Sequence, residues 1–387
     1  MRLRPVMQFL LSDPVKLVAF ALITRLVLFT AGYLSHAAVA NPQALEVPFA
    51  RTYLRQEIAA FRWGDPTWYI DIAQNGYERR PFSADQKANW AFYPLFPLIL
   101  RLSQPVFPDM VVGGIVVSTF FLLLAVVALY KLIALDFERE VALTTTILLI
   151  VFPAAYFFSR PGPEALFTLL TIVSLYCARK NQWLWAGGLG ALAALTRFHG
   201  ILMLVPLAYM YYRQYRRTRA HNAWALALWL LPAAQLGLML YMYWLTGNPL
   251  AHVAMQSVWG NHLAFPLAAL FQFLAQPLLI DYYGWNLTPF SLAFVLAALV
   301  LTIGMIKSAA IPREYLLYTL LSLGLIISRD TLEGSLRFLL PIFPLYLALA
   351  LFLQKRTTLY NLTLFVLSAL QLFYFVAFVH QYNWAAT

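Results

Sequence analysis

Charged side chains are scarce in this sequence, and cysteine occurs only once. Charged residues make up 11% of its 387 positions, whereas a soluble globular domain carries about 25%. Because Cys177 is the single cysteine, the chain can form neither an intrachain disulfide nor a cysteine-based zinc site. The net charge of +11 comes without an RNA-binding signature, a Walker motif or a GxGxxG motif. These shortages argue against a soluble protein that binds nucleotides or nucleic acid.

Long hydrophobic runs dominate what is present. Hydrophobic residues make up 62% of the chain, and the mean hydropathy is +0.70. Runs of this kind indicate an all-α polytopic membrane protein, because a β-barrel would show alternating segments of about ten residues instead. The predicted spans are 15–36, 110–134, 141–158, 164–178, 223–245, 287–306, 313–328, 335–353 and 358–380.

A further pair of short apolar runs lies between residues 183 and 212, separated by TRFHG. Arg179 and Lys180 precede the pair, and RQYRRTR (213–219) follows it. Because basic clusters favour the cytoplasmic side, the chain must cross twice or re-enter here, and we predict a hairpin of short helices. The total becomes about eleven transmembrane helices in an inner membrane, with a cytoplasmic N-terminus. The basic N-terminal segment is expected to be an uncleaved anchor.

The whole chain, residues 1–387, is predicted to form one transmembrane domain with two large extracytoplasmic loops, 38–109 and 246–286. Most carboxylates fall outside the cytoplasmic segments, so chemistry that uses carboxylates is expected on the outer side. In the first loop, AFYPLFPLILRL (91–102) is too short to span and contains Pro94 and Pro97. This favours an interfacial or re-entrant helix there.

The segment GDPTWYIDIAQNGY (64–77), in the first loop, is too polar to span a bilayer and too amphipathic to be a plain linker. Asp65 followed by proline is typical of a helix N-cap, and the aromatic residues after it would share one face of an interfacial helix. A second interpretation is chemical. A lipid-linked phosphosugar has a good leaving group, so a transferase needs one carboxylate base and cations for the departing phosphate, whereas a glycosidase needs two opposed carboxylates. Asp65 is the candidate base, with Asp71 and Glu57 as alternatives.

RWGDPTWYIDIAQNGY (62–77) and NWAFYPLFPLILRL (89–102) resemble the PIG-V family of mannosyltransferases, which belongs to the GT-C membrane glycosyltransferases. The family pattern is roughly W-D-x-x-W-Y-x-x-I-A-x-x-G-Y, then A-F-F-P-x-x-P-L. The matching residues are Asp65, Trp68, Tyr69, Ile72, Ala73, Gly76, Tyr77, Ala91, Phe92, Pro94, Pro97 and Leu98. Gly64 stands where the family usually has tryptophan, with Trp63 displaced by one position.

Later segments continue the resemblance in order along the chain. They are SRPGPEALFTLL (159–170), WAGGLGALAALTRFHGILMLVPL (185–207), TGNPLAHVAMQSVWG (246–260) and GSLRFLLPIFPLYLALA (334–350). In the first of them Gly162 replaces the usual tyrosine. The third is similar to G-D-P-x-x-F-x-x-x-Q-x-x-W, with Asn248 in place of the acid and His252 in place of the aromatic residue. The resemblance therefore covers most of the chain.

The resemblance implies a GT-C fold, in which the first extracytoplasmic loop carries the catalytic acid and juxtamembrane helices. It implies an inverting glycosyltransferase that moves a sugar, with mannose expected, from a polyprenyl- or dolichyl-phosphate donor to a hydroxyl of a lipid-linked or other extracytoplasmic acceptor. The expected partners are this donor, a lipid or glycan acceptor and membrane lipids, without nucleic acid. No cofactor is predicted, and the metal dependence, the acceptor and the oligomeric state stay open.

The resemblance and the charge pattern select the remaining site residues. The predicted substrate-binding residues are Trp68, Tyr69, Tyr77, Glu164, Arg197, Gln256, Trp259 and Arg337. Arg197 and Arg337 are candidates for holding the lipid phosphate. The alternative for Arg197 is a structural brace for backbone carbonyls, and the alternative for Arg337 is snorkelling to lipid headgroups. Glu164 either takes part in function or pairs with Arg160 at the start of a helix.

Gln256 and Trp259 are expected to line the acceptor side, with interfacial anchoring as the alternative. His252 and His262 are ten positions apart, so we predict no histidine metal site. Arg25 lies within the first predicted span and needs a partner that the sequence does not identify.

A transporter or flippase of a lipid-linked saccharide is the competing function. Such a protein is expected to have inverted repeats, interrupted helices and coordinating groups near the middle of the membrane. The sequence has no detectable duplication and instead places acidic residues in an outer loop, which favours the enzyme. An inactive scaffold of the same fold is a third alternative.

Overall fold

The computed structural model describes residues 12–39, 49–259, 262–275, 288–332 and 334–380. The α-helices are α1 (Asp13–Val39), α2 (Phe49–Arg62), α3 (Asp65–Asn75), α4 (Leu95–Ser103), α5 (Met110–Ile133), α6 (Arg139–Val151), α7 (Glu164–Arg179), α8 (Trp183–Ala194), α9 (Leu204–Thr218), α10 (Leu230–Thr246), α11 (Ala251–Val258), α12 (Ala268–Ala275), α13 (Thr288–Lys307), α14 (Arg313–Ile327), α15 (Ser335–Leu339), α16 (Phe343–Leu353) and α17 (Thr357–Val379). Short 3₁₀ segments lie at Asn89–Ala91, Ala155–Ser159, Phe198–Met203 and Ala223–Trp229. The predicted all-α class is confirmed over the described residues.

Five helices in the described ranges are long and apolar enough to cross a membrane. They are Asp13–His36, Met110–Ile133, Ala223–Thr246, Phe290–Lys307 and Thr357–Val379. Shorter apolar helices are Trp183–Ala194 and Phe343–Leu353. The chain is therefore a multi-pass membrane protein, and the total of about eleven crossings stays a prediction. Residues 1–11 and parts of the predicted outer loops, 40–48 and 276–286, lie outside the described residues.

Two predicted spans are interrupted, so their expected boundaries are wrong. The helix predicted at 141–158 ends at Val151, and the chain then forms the 3₁₀ segment Ala155–Ser159. The span predicted at 335–353 is divided into α15 and α16, with Pro341 between them. Proline lacks a backbone N–H and its ring clashes with the preceding turn, which ends a helix. Such breaks are tolerated at membrane depth when the freed backbone groups find protein partners.

Arg25, for which the sequence identified no partner, braces one of these breaks. Its Nη1 donates to the Ala155 carbonyl at 2.7 Å, and its Nη2 donates to the Ile150 carbonyl at 3.1 Å. The side-chain amide of Gln371 donates to the carbonyls of Ile150 and Phe152 at 2.9 and 3.2 Å. Because the last carbonyls of a helix have no partner within it, side chains from α1 and α17 satisfy the end of α6.

The hairpin predicted between residues 183 and 212 consists of two short helices, α8 and α9, on either side of a break. The first outer loop is attached to this hairpin and to the end of α10. The backbone N–H of Leu95 donates to the carbonyl of Leu195 at 3.1 Å, and that of Phe82 donates to the carbonyl of Thr246 at 3.0 Å. These bonds attach the start of α4 to the end of α8, and the segment that follows α3 to the end of α10.

The contact between α8 and the segment Ala223–Trp229 depends on Gly187. A Cβ atom at position 187 would lie 2.3 Å from the carbonyl oxygen of Ala227, whereas a Cβ at Gly188 would meet nothing within 4 Å.

We therefore expect Gly187→Ala to lower the free energy of unfolding by about 1–3 kcal/mol, because the backbone must move to make room for the added methyl group. Gly188→Ala is the matched control, and it should leave stability unchanged or raise it by up to about 1 kcal/mol, because alanine favours a helix. Thermal unfolding of both variants in detergent measures the difference, and equal midpoints would contradict this packing.

Candidate active site

Asp65 opens α3, in the first outer loop. The sequence pattern predicted Asp65 as the N-cap, and this is wrong, because Gly64 occupies the cap position and Asp65 is the first helical residue. Gly64 has a φ of 77°, in the left-handed region that favours glycine. A Cβ atom there would lie 2.9 Å from Nη2 of Arg160. Glycine at this position therefore allows the left-handed backbone and the close approach of Arg160 to the start of α3.

Asp65, Glu164, Arg197 and Arg337 form a continuous chain of ion pairs. Nη1 of Arg337 donates to Oδ2 of Asp65 at 2.5 Å, and Nε of Arg337 donates to Oε1 of Glu164 at 2.6 Å. The same Oε1 accepts a hydrogen bond from Nη1 of Arg197 at 2.7 Å. Arg337 thus joins the two carboxylates, and Glu164 joins two arginines. The structure brings together four predicted site residues that lie on four separate parts of the chain.

The two carboxylates differ in exposure. The side chain of Glu164 is 2% exposed, whereas that of Asp65 is 36% exposed. A buried carboxylate is costly unless it is paired, and Glu164 has two arginine partners. Asp65 uses Oδ2 for its ion pair, and its Oδ1 makes no hydrogen bond with any residue that the structure describes. An exposed carboxylate oxygen of this kind is suited to accept a proton from an incoming hydroxyl group.

Arg160 adds a third guanidinium group beside this chain. It is buried and donates to the backbone carbonyl of Trp63. Its guanidinium carbon lies 5.2 Å from the ring centre of Phe157 and 5.3 Å from that of Phe378. The Phe157 ring is also 5.3 Å from the guanidinium of Arg337. With Arg197 and Arg337, three guanidinium groups lie beside the two carboxylates in the described part of the chain.

Phe338 packs against Arg197 and against a further arginine, Arg329, near the second outer loop. Its ring lies 5.2 Å from the guanidinium of Arg197 and 4.7 Å from that of Arg329. Arg329 forms an isolated antiparallel bridge with Leu263, which brings the second loop beside the site. Because a cation is attracted to the negative face of an aromatic ring, Phe338 helps to orient both arginines.

The arginines also set the protonation state of Asp65. Burial alone raises the pKa of Asp65, but attraction to Arg337, Arg160 and Arg197 and the hydrogen bond from Arg337 outweigh burial, so the pKa lies below its ordinary value. Asp65 is therefore ionised at neutral pH. A general base must be deprotonated before it acts, and Asp65 meets that condition.

Asp71 and Glu57, the alternative candidates for the base, lie away from the arginine cluster. Oxygens of Asp71 accept hydrogen bonds from the side-chain amides of Asn75 and Asn89 at 2.8 and 2.9 Å, which ties together the end of α3 and the segment that follows. Glu57 is buried beside Gly32, where a Cβ atom would lie 2.8 Å from its Oε1. Burial raises the pKa of Glu57 to about 7. Of the three candidate bases, Asp65 is the one that lies among the arginines.

An aromatic wall, made of Trp68, Phe92 and Trp259, borders Asp65. Trp68 lies one helical turn after Asp65, stacks on Phe92 at 5.9 Å between ring centres and meets Trp259 edge-on at 5.1 Å. Tyr69 packs edge-on against Phe92 at 5.1 Å. The predicted residues Trp68, Tyr69 and Trp259 are thus together, next to the helix that carries Asp65.

Tyr77 and Gln256, also predicted to bind substrate, contact the backbone of this wall. The Tyr77 hydroxyl donates to the carbonyl of Phe92 at 2.5 Å, and Nε2 of Gln256 donates to the carbonyl of Ala91 at 3.0 Å. Both side chains therefore hold the segment that carries Phe92, and Gln256 fastens the second outer loop to the first.

Arg160 and Arg329 are absent from the predicted site residues. The position of Arg160 in SRPGP, between two predicted spans, is a signal that would have identified it, because an arginine at membrane depth needs a functional or structural reason. Arg329 follows a predicted span in ISRD, a pattern typical of a snorkelling residue. The proximity of Arg329 to the site depends on the fold of the second loop.

A protein-family model described as Mannosyltransferase (PIG-V) matches residues 9–332 of this chain. GPI mannosyltransferase 2 of Schizosaccharomyces pombe is 30% identical over 206 residues, which are 48% of this chain and 41% of that protein. GPI alpha-1,6-mannosyltransferase 2 of Mus musculus is 31% identical over 168 residues, which are 40% of this chain and 31% of that protein. The chain thus aligns with less than half the length of these relatives.

Two solved structures of an Archaeoglobus fulgidus oligosaccharyltransferase are also similar in arrangement. The form tethered to an acceptor peptide gives a TM-score of 0.43 at 12% identity, over 85% of this chain and 49% of that one. The complex with zinc and sulfate gives a TM-score of 0.42 at 12% identity, over 82% of this chain and 48% of that one. The family model, by contrast, covers most of the sequence, and the chain belongs to the PIG-V mannosyltransferase family.

Proposed function

We propose that the protein is an inverting glycosyltransferase that moves a sugar, with mannose expected, from a polyprenyl-phosphate donor to an acceptor hydroxyl. Membership of a mannosyltransferase family supports sugar transfer, and the apolar helices support a reaction at the membrane. The observation that carries the proposal is a single carboxylate, Asp65, with one exposed oxygen beside three guanidinium groups. Transfer from a phosphate ester needs this combination, because the leaving group requires cations rather than a second acid.

The reaction begins when the acceptor hydroxyl approaches Oδ1 of Asp65. The proton passes to Oδ1 while the hydroxyl oxygen forms a bond to the anomeric carbon of the donor. The bond between that carbon and the phosphate oxygen breaks, and its electron pair remains on the phosphate. Attack from the face opposite the phosphate inverts the configuration. The products are the glycoside, polyprenyl phosphate and a protonated Asp65, whose exposed side chain returns the proton to water.

The arginines stabilise the charge that develops on the phosphate. The donor phosphodiester carries one negative charge, and the departing polyprenyl phosphate gains another. The positive charges of Arg160, Arg197 and Arg337 favour this change, and fixed cations in a site shielded from water act more strongly than they would in bulk solvent. Guanidinium groups also present paired N–H donors that match phosphate oxygens.

Glu164 positions two of these arginines. Its Oε1 accepts from both Arg337 and Arg197, so the two guanidinium groups are held in place before the donor arrives. Preorganised charges cost no rearrangement during the reaction. We assign Glu164 to positioning and Asp65 to proton transfer.

The expected orientation places this site at the outer face of an inner membrane, with the N-terminus in the cytoplasm. The excess of lysine and arginine in the segments predicted to be cytoplasmic supports this orientation. The donor and a lipid or glycan acceptor would then reach the site from the outer leaflet, along the membrane lipids.

Replacing Asp65 by asparagine tests the proposed base. Asp65→Asn keeps the size of the side chain and should lower kcat by roughly two to four orders of magnitude, because general-base catalysis contributes about that much. The assay uses purified protein in proteoliposomes, labelled polyprenyl-phosphate mannose and an extract of membrane lipids as acceptor. Asp71→Asn is the matched control on the same helix and should retain activity.

Full activity of Asp65→Asn would remove Asp65 as the base. If wild-type proteoliposomes move the labelled lipid across the bilayer without forming a glycosidic bond, the protein is a transporter and the proposal is wrong.

The low pKa of Asp65 predicts the acid limit of the reaction. Protonation of Asp65 removes the base, so kcat/KM should fall as the pH falls through this pKa, which lies below the ordinary aspartate value of about 3.9. Arg337→Gln removes the largest attraction that lowers the pKa, so the acid limb should move to higher pH. Arg197→Gln should move it less, because Arg197 contributes less. Because the pKa of Asp65 is lower in the folded protein than in the unfolded chain, ionised Asp65 stabilises the folded state at pH values above the pKa of the unfolded chain. This stabilisation is lost as the pH falls through the pKa of Asp65 in the folded protein. Identical acid limbs in wild type and Arg337→Gln would contradict this account.

A further inference from the structure

Three buried polar atoms within and beside the aromatic wall have no hydrogen-bond partner among the described residues. They are Oη of Tyr93, Nδ1 of His252 and Nε1 of Trp259. Tyr93 and His252 are each 4% exposed. Buried tyrosine hydroxyls and tryptophan N–H groups usually have partners, and a group left without one is costly. Three such atoms close together therefore call for an explanation.

Loose packing does not explain them, because the neighbouring polar groups are satisfied. Nε1 of Trp90 donates to the carbonyl of Glu78 at 2.8 Å. The side-chain amide of Asn89 donates to Oδ2 of Asp71 at 2.9 Å and to the carbonyl of Gly76 at 3.1 Å. The polar side chains of Asn89 and Trp90 thus have partners, whereas those of Tyr93, His252 and Trp259 next to them each keep a buried polar atom without one.

The three side chains lie on one continuous surface. His252, Gln256 and Trp259 are spaced at i, i+4 and i+7, which places them along one face of α11 and its C-terminal end. Gln256, in the middle, is fastened to the Ala91 carbonyl. The rings of His252 and Tyr93 are 5.9 Å apart at one end, and Trp259 contacts Trp68 at the other.

The chemistry of the three groups matches hydroxyl groups. Burial raises the pKa of Tyr93 and lowers that of His252, so both are uncharged at neutral pH. The indole N–H of Trp259 can donate a hydrogen bond, and the hydroxyl of Tyr93 can both donate and accept one. Nδ1 of neutral His252 can take either role, depending on the tautomer. A hydroxyl can satisfy each of them, because it both donates and accepts. Several hydroxyls on one rigid ring would satisfy them together.

We propose that Tyr93, His252 and Trp259 form a hydroxyl-binding subsite that holds the sugar ring of the acceptor next to Asp65. This inference rests on the proposed function. Asp65 pairs with Arg337, and Trp68, one helical turn after Asp65, contacts Trp259 of the subsite. Inversion requires the acceptor and the departing phosphate on opposite faces of the anomeric carbon, and the arginines are assigned to the phosphate, so we assign the subsite to the acceptor.

Two conservative variants test the subsite. Tyr93→Phe removes one hydroxyl, and His252→Phe keeps a ring of similar shape while removing the nitrogen atoms. Each should raise the KM for octyl mannoside, the acceptor probe, about tenfold, the effect of losing one net hydrogen bond. The KM for labelled polyprenyl-phosphate mannose should not change. The melting temperature of Tyr93→Phe should stay the same or rise, because its hydroxyl has no partner to lose in the free protein.

Tyr315→Phe is the control, because it removes a buried hydroxyl beside Glu314 in α14, and it should leave the acceptor KM unchanged. The subsite is disproved if both test variants keep the wild-type acceptor KM, as they would if bound water satisfied the three groups. A rise confined to the donor KM, or equal use of dodecanol and octyl mannoside by wild type, also disproves it. Absence of transfer by wild type to octyl mannoside, dodecanol and membrane-lipid extract would instead disprove the proposed function, and the subsite with it.

Discussion

The guanidinium group of Arg337 is the interaction on which the rest of the site depends. It binds Asp65 through Nη1 and Glu164 through Nε, and so connects the first outer loop to the membrane helices. Removing one partner from a buried ion pair costs about 3–5 kcal/mol, because the other charge is left uncompensated. Arginine can join two carboxylates because its donors are spread over a rigid plane, whereas a lysine ammonium is a compact point charge. The carboxylate proposed as the base and the guanidinium groups are thus coupled in one network of ion pairs.

Helix ends and helix breaks position this cluster. Asp65 and Glu164 are the first residues of α3 and α7, where the positive end of the helix dipole favours a carboxylate. Arg197 lies in the break after α8, and Arg337 lies in the short helix α15 before Pro341. Irregular backbone at membrane depth requires protein partners, and the brace that Arg25 provides to the end of α6 shows how this chain supplies them. The same interruptions that a bilayer disfavours therefore bring the charged side chains together.

Local pattern and charge were enough to predict much of this arrangement. Hydrophobic runs identified the long helices, and the motif around Asp65 identified the family and the candidate acid. Sequence reasoning could not predict how the charges pair, because Asp65 and Arg337 are 272 positions apart and their contact depends on packing between many helices. It also placed 335–353 in one span despite Pro341, because the hydrophobic run is continuous. The position of Arg329 near the site could not be predicted either, because only the fold brings the second loop beside the site.

In the proposed reaction Asp65 and the arginines act on opposite sides of the anomeric carbon, Asp65 on the hydroxyl group that attacks it and the arginines on the phosphate that leaves it. A structure of the protein with a bound, non-hydrolysable polyprenyl-phosphate sugar tests this arrangement most directly. The account predicts the phosphate within hydrogen-bond distance of Arg337 and at least one of Arg160 and Arg197, with the anomeric carbon turned toward the side of Asp65 and Trp68. A phosphate bound away from these arginines, or a sugar separated from Asp65 by protein, would contradict it.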